Sequence, residues 1–353
     1  MIKLGNKIIG EGHPTFITFE AGPTHSGLES AKRLVKHAAL AGGDAIKFQI
    51  FDPDELIADK NLLFTYDILV DKKTGKTEKI SEPLYDIFVR RSMTGSEWRE
   101  LKKYSDTLGL TFFATIGDNF GLELVKSIGC HSIKVASADV NYLPFLREVA
   151  KVGVSVQLDT GNATFGEIEQ AIDVIRAEGN DQIIIHNCPS GYPAQIDSIN
   201  LKMLPNLKNI FNCPVAYSDH SSGEIMDVAA IAFGANLVEK TITEDRTTRS
   251  VEHIMSLEPH EMSSFVKVIR QVERAMGHPR RIMSDLEKKN RLSSRRSLIL
   301  DQNVKYGQVL RDVKVKFKRP GYGIAPDEYE KILDLTFTCD LPIGHTVLIN
   351  DLS

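Results

Sequence analysis

Short apolar and β-branched runs recur through the first four-fifths of the chain, and between them stand segments whose apolar residues return every three or four positions. TFITFEAG (15–22) is followed by SAKRLVKHAALAGG, and PVAYSDHS (214–221) by SGEIMDVAAIAFGA. Unbroken or alternating apolar runs mark strands and a period near 3.6 marks an amphipathic helix, so the alternation predicts βα units. The other strand candidates are AIKFQI (45–50), TFFATIG (111–117), SIKVAS (132–137), SVQLDTG (155–161), QIIIHNCPS (182–190) and LVEKTIT (237–243). Eight strands alternating with helices predict an α/β fold of the (β/α)8, or TIM, barrel type rather than an open doubly wound sheet, and no Gly-x-Gly-x-x-Gly follows the first strand.

Residues 51–95 carry DKKTGKTEKISEPLY between the second and third strands, more than a βα connection needs. This stretch reads as an active-site flap or a solvated excursion. Beyond ERAMGHPRRIMSDLEKKNRLSSRRS the pattern changes to short β-like runs broken by Gly and Pro. The expected division is a barrel domain over 1–280, a charged helical linker over 281–295 and a small, mostly β domain over 296–353.

Composition narrows the partners. In 353 residues, 42% are hydrophobic and 25% charged with a net charge of -4, which gives no electrostatic reason to expect nucleic acid or an anionic membrane. No apolar stretch is long enough to cross a bilayer, and MIKLGNKIIGEGHP lacks the basic-then-apolar pattern of a signal peptide, so a cytoplasmic location is expected. Cys130, Cys188, Cys213 and Cys339 stand far apart with no Cys-x-x-Cys pair and are expected to be reduced.

Parallel barrels place their chemistry where the strands' C-terminal ends converge. The strand ends here are polar: Glu20, Lys47 and Gln49, Thr115, Lys134 and Ser137, Asp159 and Thr160, Ser190, Ser218 with Asp219 and His220, and Glu239 with Lys240. A lone lysine at a strand end is most often an ion-pair partner. Several lysines and hydroxyls meeting in one cavity instead form a receptor for a phosphorylated substrate, because ammonium groups neutralise charge and hydroxyls donate directional hydrogen bonds. His220 fits a metal ligand, a general base or a structural histidine held by Asp219. Glu20 and Glu239 suit proton transfer or the surroundings of a metal.

The motifs FEAGPTHSG, IKFQ, IKVASAD, LDTGN, CPSGYP, YSDHSSG, VEKTIT and KRPGYGIAP resemble, in order and spacing, those of the sialic acid (N-acetylneuraminate) synthase family. The likeness covers nearly the whole chain, including a C-terminal domain similar to that family's antifreeze-like (SAF) module. It implies condensation of phosphoenolpyruvate with an open-chain N-acyl hexosamine such as N-acetylmannosamine and water, giving a nine-carbon 2-keto sugar acid and phosphate. It also implies a divalent metal, Mn²⁺ or Mg²⁺, and a homodimer in which the SAF module of one subunit covers the barrel of the other.

By position, the resemblance assigns Lys134, Lys47, Thr115, Ser137, Ser190 and Ser218 to phosphoenolpyruvate, and Gln49, Asp139, Tyr192 and Glu252 to the sugar. Arg319 takes the place of the arginine that the SAF module inserts into the partner's site. Glu20, Lys134, His220 and Glu239 are the expected catalytic set, with His220 as metal ligand. Thr241 stands where the family has a second metal-binding histidine, Asp159 where a serine is common, and Asp139 where glutamate is usual, so a divergent branch is expected. The alternatives are a phosphoenolpyruvate-dependent synthase using a different aldose or a sugar phosphate, a Schiff-base aldolase with Lys134 or Lys240 as nucleophile, and a non-catalytic carbohydrate-binding relative.

Overall fold

A computed structural model describes residues 1–353. Eight parallel strands close a barrel: β1 (Phe16–Glu20), β2 (Ala45–Ile50), β3 (Thr111–Ile116), β4 (Ser132–Val135), β5 (Ser155–Asp159), β6 (Ile183–Asn187), β7 (Val215–Asp219) and β8 (Leu237–Thr241), each paired with its sequence neighbours and β8 with β1. All eight lie within the predicted runs. The outer helices are α1 (Leu28–Ala41), α2 (Gly95–Thr107), α3 (Asn119–Ser127), α4 (Leu143–Lys151), α5 (Phe165–Ala177), α6 (Met203–Phe211), α7 (Ile225–Ala232) and α8 (Pro259–Met276).

Local sequence explains these elements. In α1 the buried Ala31, Leu34, Val35 and Ala38 recur at helical spacing, and Gly42 ends the helix in the left-handed region. Capping boxes, Thr94 with Glu97 and Thr164 with Glu167, start α2 and α5. Outward strand residues such as Ile46, Phe48, Leu158 and Tyr217 pack with the helices into one core.

The barrel's lower end is sealed by a hairpin that the apolar pattern did not reveal, Ile2–Leu4 paired with Lys7–Ile9. Ile2, Leu4 and Ile9 cluster with the inward-facing Phe16, Ala45, Phe113, Ile184, Ala216 and Leu237. Its turn needs Gly5, at φ 59°, where a Cβ would stand 2.5 Å from Thr111 Oγ1.

The 51–95 excursion folds as an antiparallel hairpin, Leu63–Asp71 with Lys76–Pro83, followed by a short helix, Leu84–Val89. Tyr66, Ile68 and Ile80 cluster with Ile87 and Val251, and Tyr192 packs against them, so the excursion lies over the barrel mouth.

Residues Met1–Gly277 form one compact unit and His278–Ser353 a second. The second begins with a capped helix, Asp285–Ser294, where a linker is expected from sequence. It continues into the antiparallel pair Ser297–Leu300 and Val315–Lys318, with a core of its own around Leu298, Leu310, Phe337 and Val347. No helix of the chain is long and apolar enough to cross a membrane.

Candidate active site

Side chains on a strand alternate between barrel interior and exterior. On β8, Leu237 joins the interior cluster at the barrel's lower end, so Glu239, two residues on, points inward while Val238 and Lys240 point out. On the same rule Lys47, Thr115, Lys134, Asp159, His186 and Ser218 face inward near the C-terminal ends of their strands.

These side chains meet. Lys134 Nζ lies 2.7 Å from Glu239 Oε1, 2.9 Å from Asp159 Oδ1 and 3.2 Å from Ser218 Oγ. Lys47 Nζ lies 2.7 Å from the same Glu239 oxygen and pairs also with Glu20. Ser218 Oγ donates to that oxygen at 3.1 Å. All six side chains are buried. Three carboxylates thus face two ammonium groups in a medium of low dielectric, where each pairing is strong and each gap costly.

Burial works to raise the Glu239 carboxyl, but Lys134 and Lys47 hold it well below the usual range. Burial works to lower the Lys134 ammonium, and Asp159 and Glu239 overcome it and hold the group above its ordinary value. Burial pushes Lys47 down, with Glu239 opposing. Thr115, level with Lys134 across the β3–β4 pair, keeps a buried hydroxyl without a partner.

Above this cluster opens a cavity of about 520 Å³. Ser137, Ser190, Tyr192 and His220 line it, as do Asn162 and Cys188. Burial, and then Asp159, raise the Cys188 thiol, which ties this wall to the charged floor. Ser190 Oγ donates to Asn162 Oδ1 at 2.8 Å. His220 Nδ1 donates to the Pro189 carbonyl at 2.9 Å, which leaves Nε2 as an acceptor, and its ring packs 4.8 Å from that of Tyr192.

The remaining expected residues of the barrel unit sit around the rim. Gln49 and Glu20 both crowd Gly22, where a Cβ would meet each at 2.5 Å, so only glycine lets the first βα loop pass. Asp139, in the turn Ser137–Asp139, is raised to about 6 by burial and by Asp118. Glu252 is buried in the left-handed region, φ 73°, and accepts from Thr241 Oγ1 at 3.4 Å. Arg319 is exposed and belongs to the second unit.

Lys240 and Asp219 are not mouth residues. They point outward and pair with each other beside the buried Asp227 on α7, where Lys240 also donates to the Ser221 carbonyl at 2.6 Å.

The donor set does not fit a protein-held metal. No three His, Cys, Asp or Glu side chains converge to hold a cation. The Thr241 hydroxyl is directed to Glu252, Glu20 and Glu239 are engaged by lysines, and the two free ring nitrogens, His220 Nε2 at the mouth and the buried His186 Nδ1, belong to no cluster of three ligands. Transition-metal centres need three or four such ligands, so no chemical step is assigned to a cation.

Sequence reasoning missed His186. It follows Ile184 at a spacing of two on β6, so the alternation marks it as inward-facing.

Residues 34–281 match the model of the NeuB family. The chain is 33% identical over 322 residues to the N,N'-diacetyllegionaminic acid synthase of Campylobacter jejuni, covering 90% of this chain and 94% of that one. It is 31% identical over 275 residues to the human N-acetylneuraminate-9-phosphate synthase, 77% and 74% of the respective chains. The crystal structure of an N-acetylneuraminic acid synthetase from Leptospira borgpetersenii in complex with citrate superimposes with a TM-score of 0.71 at 31% identity, covering 82% of this chain and 94% of that one.

Proposed function

The chain belongs to the NeuB family, and from that premise we propose that it condenses phosphoenolpyruvate with an open-chain N-acyl hexosamine and water, releasing phosphate and a nine-carbon 2-keto sugar acid. Relatives named as legionaminic, pseudaminic and N-acetylneuraminic acid synthases support a phosphoenolpyruvate-dependent sugar-acid synthase. The reading rests on Lys47 and Lys134, from strands far apart in sequence, sharing one oxygen of Glu239 beside Ser218. Two ammonium groups with a hydroxyl suit a phosphate.

In this reading phosphoenolpyruvate lies over Lys134, Lys47, Ser218 and the unpartnered Thr115 hydroxyl, with Ser137 and Ser190 on the wall. Gln49, Asp139, Tyr192 and Glu252 hold the sugar. C3 of the enol bonds to the aldehyde carbon, a water oxygen bonds to C2, and the C2–O bond to phosphate breaks. The two protons of water end on the new sugar hydroxyl and on the departing phosphate, and we assign their transfer to Glu20 and Glu239 once the lysines have turned to the phosphate. In the same reading His220 Nε2 accepts a hydrogen bond from the sugar. We also propose a cytoplasmic homodimer in which Arg319, on the SAF module, completes the partner's site.

Incubation with phosphoenolpyruvate and a panel of N-acyl hexosamines tests this. Inorganic phosphate and a product heavier than the sugar by the mass of pyruvate are expected together. Phosphate without such a product, or neither with any sugar of the panel, would refute the reading.

A further inference from the structure

Glu252 carries a long side chain at φ 73°, in the left-handed region, and it is buried at 6% exposure. A residue with a Cβ seldom occupies that region, and where one does the surrounding contacts hold it there. Two of those contacts are local to the loop that joins β8 to α8. The Ser256 hydroxyl donates to the Glu252 carbonyl at 2.6 Å, and the Thr241 hydroxyl donates to its carboxylate at 3.4 Å. The remaining restraint comes from far earlier in the chain, from the hairpin Leu63–Asp71 with Lys76–Pro83.

The hairpin grips this loop before, after and at both ends of Glu252. Val251, the residue before it, is buried in one cluster with Tyr66, Ile68 and Ile80 of the hairpin. The first hairpin strand also packs on the turn His253–Met255, immediately after it. At the hairpin's tip Lys72 bridges the two ends of the loop: its Nζ lies 2.8 Å from Asp245 Oδ1 and pairs also with Glu258, which caps α8. Glu258 in turn accepts from the Arg246 N–H at 2.9 Å, so the bridge closes the loop on itself. A merely solvated excursion would make none of these contacts. The same hairpin cluster receives Tyr192, and Phe64, Thr65 and Asp67 form a wall of the mouth cavity.

We propose that the hairpin is the positioning element for the acceptor sugar, with Lys72 and Val251 as the positioning residues that keep Glu252 in its left-handed conformation. The proposal rests on reading the barrel mouth as the phosphoenolpyruvate and sugar site. What the hairpin clamps, Tyr192 and Glu252, belongs to the sugar side of that reading, whereas Lys47, Lys134 and Ser218 stand on the barrel strands themselves. Without the clamp the loop relaxes to an ordinary backbone conformation and carries the Glu252 carboxylate away from Thr241 and from the sugar. Phosphoenolpyruvate then keeps its floor while the sugar loses a wall. Because Lys72 and Asp245 are both partly exposed, salt screens their half of the bridge.

The test uses the full chain with phosphoenolpyruvate and N-acetylmannosamine, or the sugar of the panel that releases phosphate fastest, in Lys72→Met, Lys72→Arg and Val251→Ala. Lys72→Met is expected to raise the KM for the sugar roughly two- to ten-fold and to leave the KM for phosphoenolpyruvate unchanged, while Lys72→Arg restores it. Val251→Ala raises the sugar KM further, by about ten- to a hundred-fold. Raising NaCl from about 0.05 to about 0.5 M raises the sugar KM of the wild type and not that of Lys72→Met. Hydrogen exchange without substrate is expected to quicken across residues 245–258 in Lys72→Met, with the barrel strands unchanged. An unchanged sugar KM in both Lys72→Met and Val251→Ala, equal losses for the two substrates, or quickened exchange confined to the hairpin overturns the proposal. Failure of the synthase reading looks different: no sugar releases phosphate, while exchange in the loop still responds to Lys72→Met.

Discussion

His186 Nδ1 lies 3.6 Å from Asp159 Oδ1 and has no hydrogen-bond partner. The chain of bonds beneath it sets its proton. Gln157 Nε2 donates to Ser132 Oγ at 3.0 Å, so Gln157 Oε1 must accept from His186 Nε2–H at 2.9 Å, and Nδ1 is left with a bare lone pair facing a carboxylate. Burial, and then the charge of Lys134, depress His186 to about 3, in keeping with a neutral ring. One proton placed between the two atoms would satisfy both.

Phosphoenolpyruvate is expected to supply the reason for that proton. Lys134 and Lys47 are already matched by Glu239, Asp159 and Glu20, so an incoming polyanion must take ammonium groups from carboxylates. When Lys134 turns to the phosphate, Asp159 loses its cation and binds a proton shared with His186. Calorimetry in buffers of different ionisation enthalpy should show uptake of about one proton on binding, by linkage. Asp159→Asn and His186→Leu should each abolish most of the uptake. The same uptake in both variants would show that the proton goes elsewhere.

Lys134 is expected to act as a cation and never as an amine nucleophile. Its Nζ is surrounded by Glu239, Asp159 and Ser218, and these carboxylates hold it protonated, whereas Schiff-base lysines need a lowered pKa. Borohydride in the presence of pyruvate or phosphoenolpyruvate should leave the protein's mass unchanged. Lys134→Ala should reduce phosphate release by at least about 100-fold, the scale of losing a preorganised electrostatic contact. A reduced pyruvate adduct on Lys134 would reverse the assignment. Lys240 offers no rival, since it is sealed between Asp219 and the Ser221 carbonyl outside the barrel.

The barrel was legible because each inner strand is a short run of four to six residues, rich in apolar side chains, between helical segments, and backbone pairing demands little else. The site was legible at the level of strands but not of faces. Adjacent polar residues such as Glu239 and Lys240, or Ser218 and Asp219, look alike in one dimension, and only register against the interior sends the first inward and the second to α7. The sealing hairpin escaped because strands of three residues carry too few alternations to stand out.

Acid should unfold the barrel unit early. His25 and His186 are depressed to about 3 and His253 to about 4, all three from 6.5 and first of all by burial. In the unfolded chain they protonate near 6.5, so below that pH the unfolded state binds more protons and stability falls as pH drops towards 3–4. Asp139, raised to about 6, has the opposite sign over a narrower window, since its folded form keeps a proton that the unfolded one loses. The three histidines outweigh it. The urea midpoint of the first unit is expected to be lower at pH 5 than at pH 7, and to move less in His186→Leu. A midpoint independent of pH between 5 and 7 would contradict the neutral, buried state of these rings.

Lys240→Met should destabilise the barrel by about 3 kcal/mol, the scale of removing one partner of a buried pair. Burial works to raise Asp219, and Lys240 with its hydrogen bonds holds it below its ordinary value, while burial and Asp219 raise Asp227, which keeps its proton. Removing the ammonium strands Asp219 as an unpaired charge in a site of 1% exposure. Met fills most of the volume of the lysine stem, so the loss reports charge rather than a cavity. The double variant Lys240→Met/Asp219→Asn should therefore recover much of the stability, and denaturant unfolding of the two single variants and the double completes the cycle. Additive losses in that cycle would mean that the pair does not act as one unit.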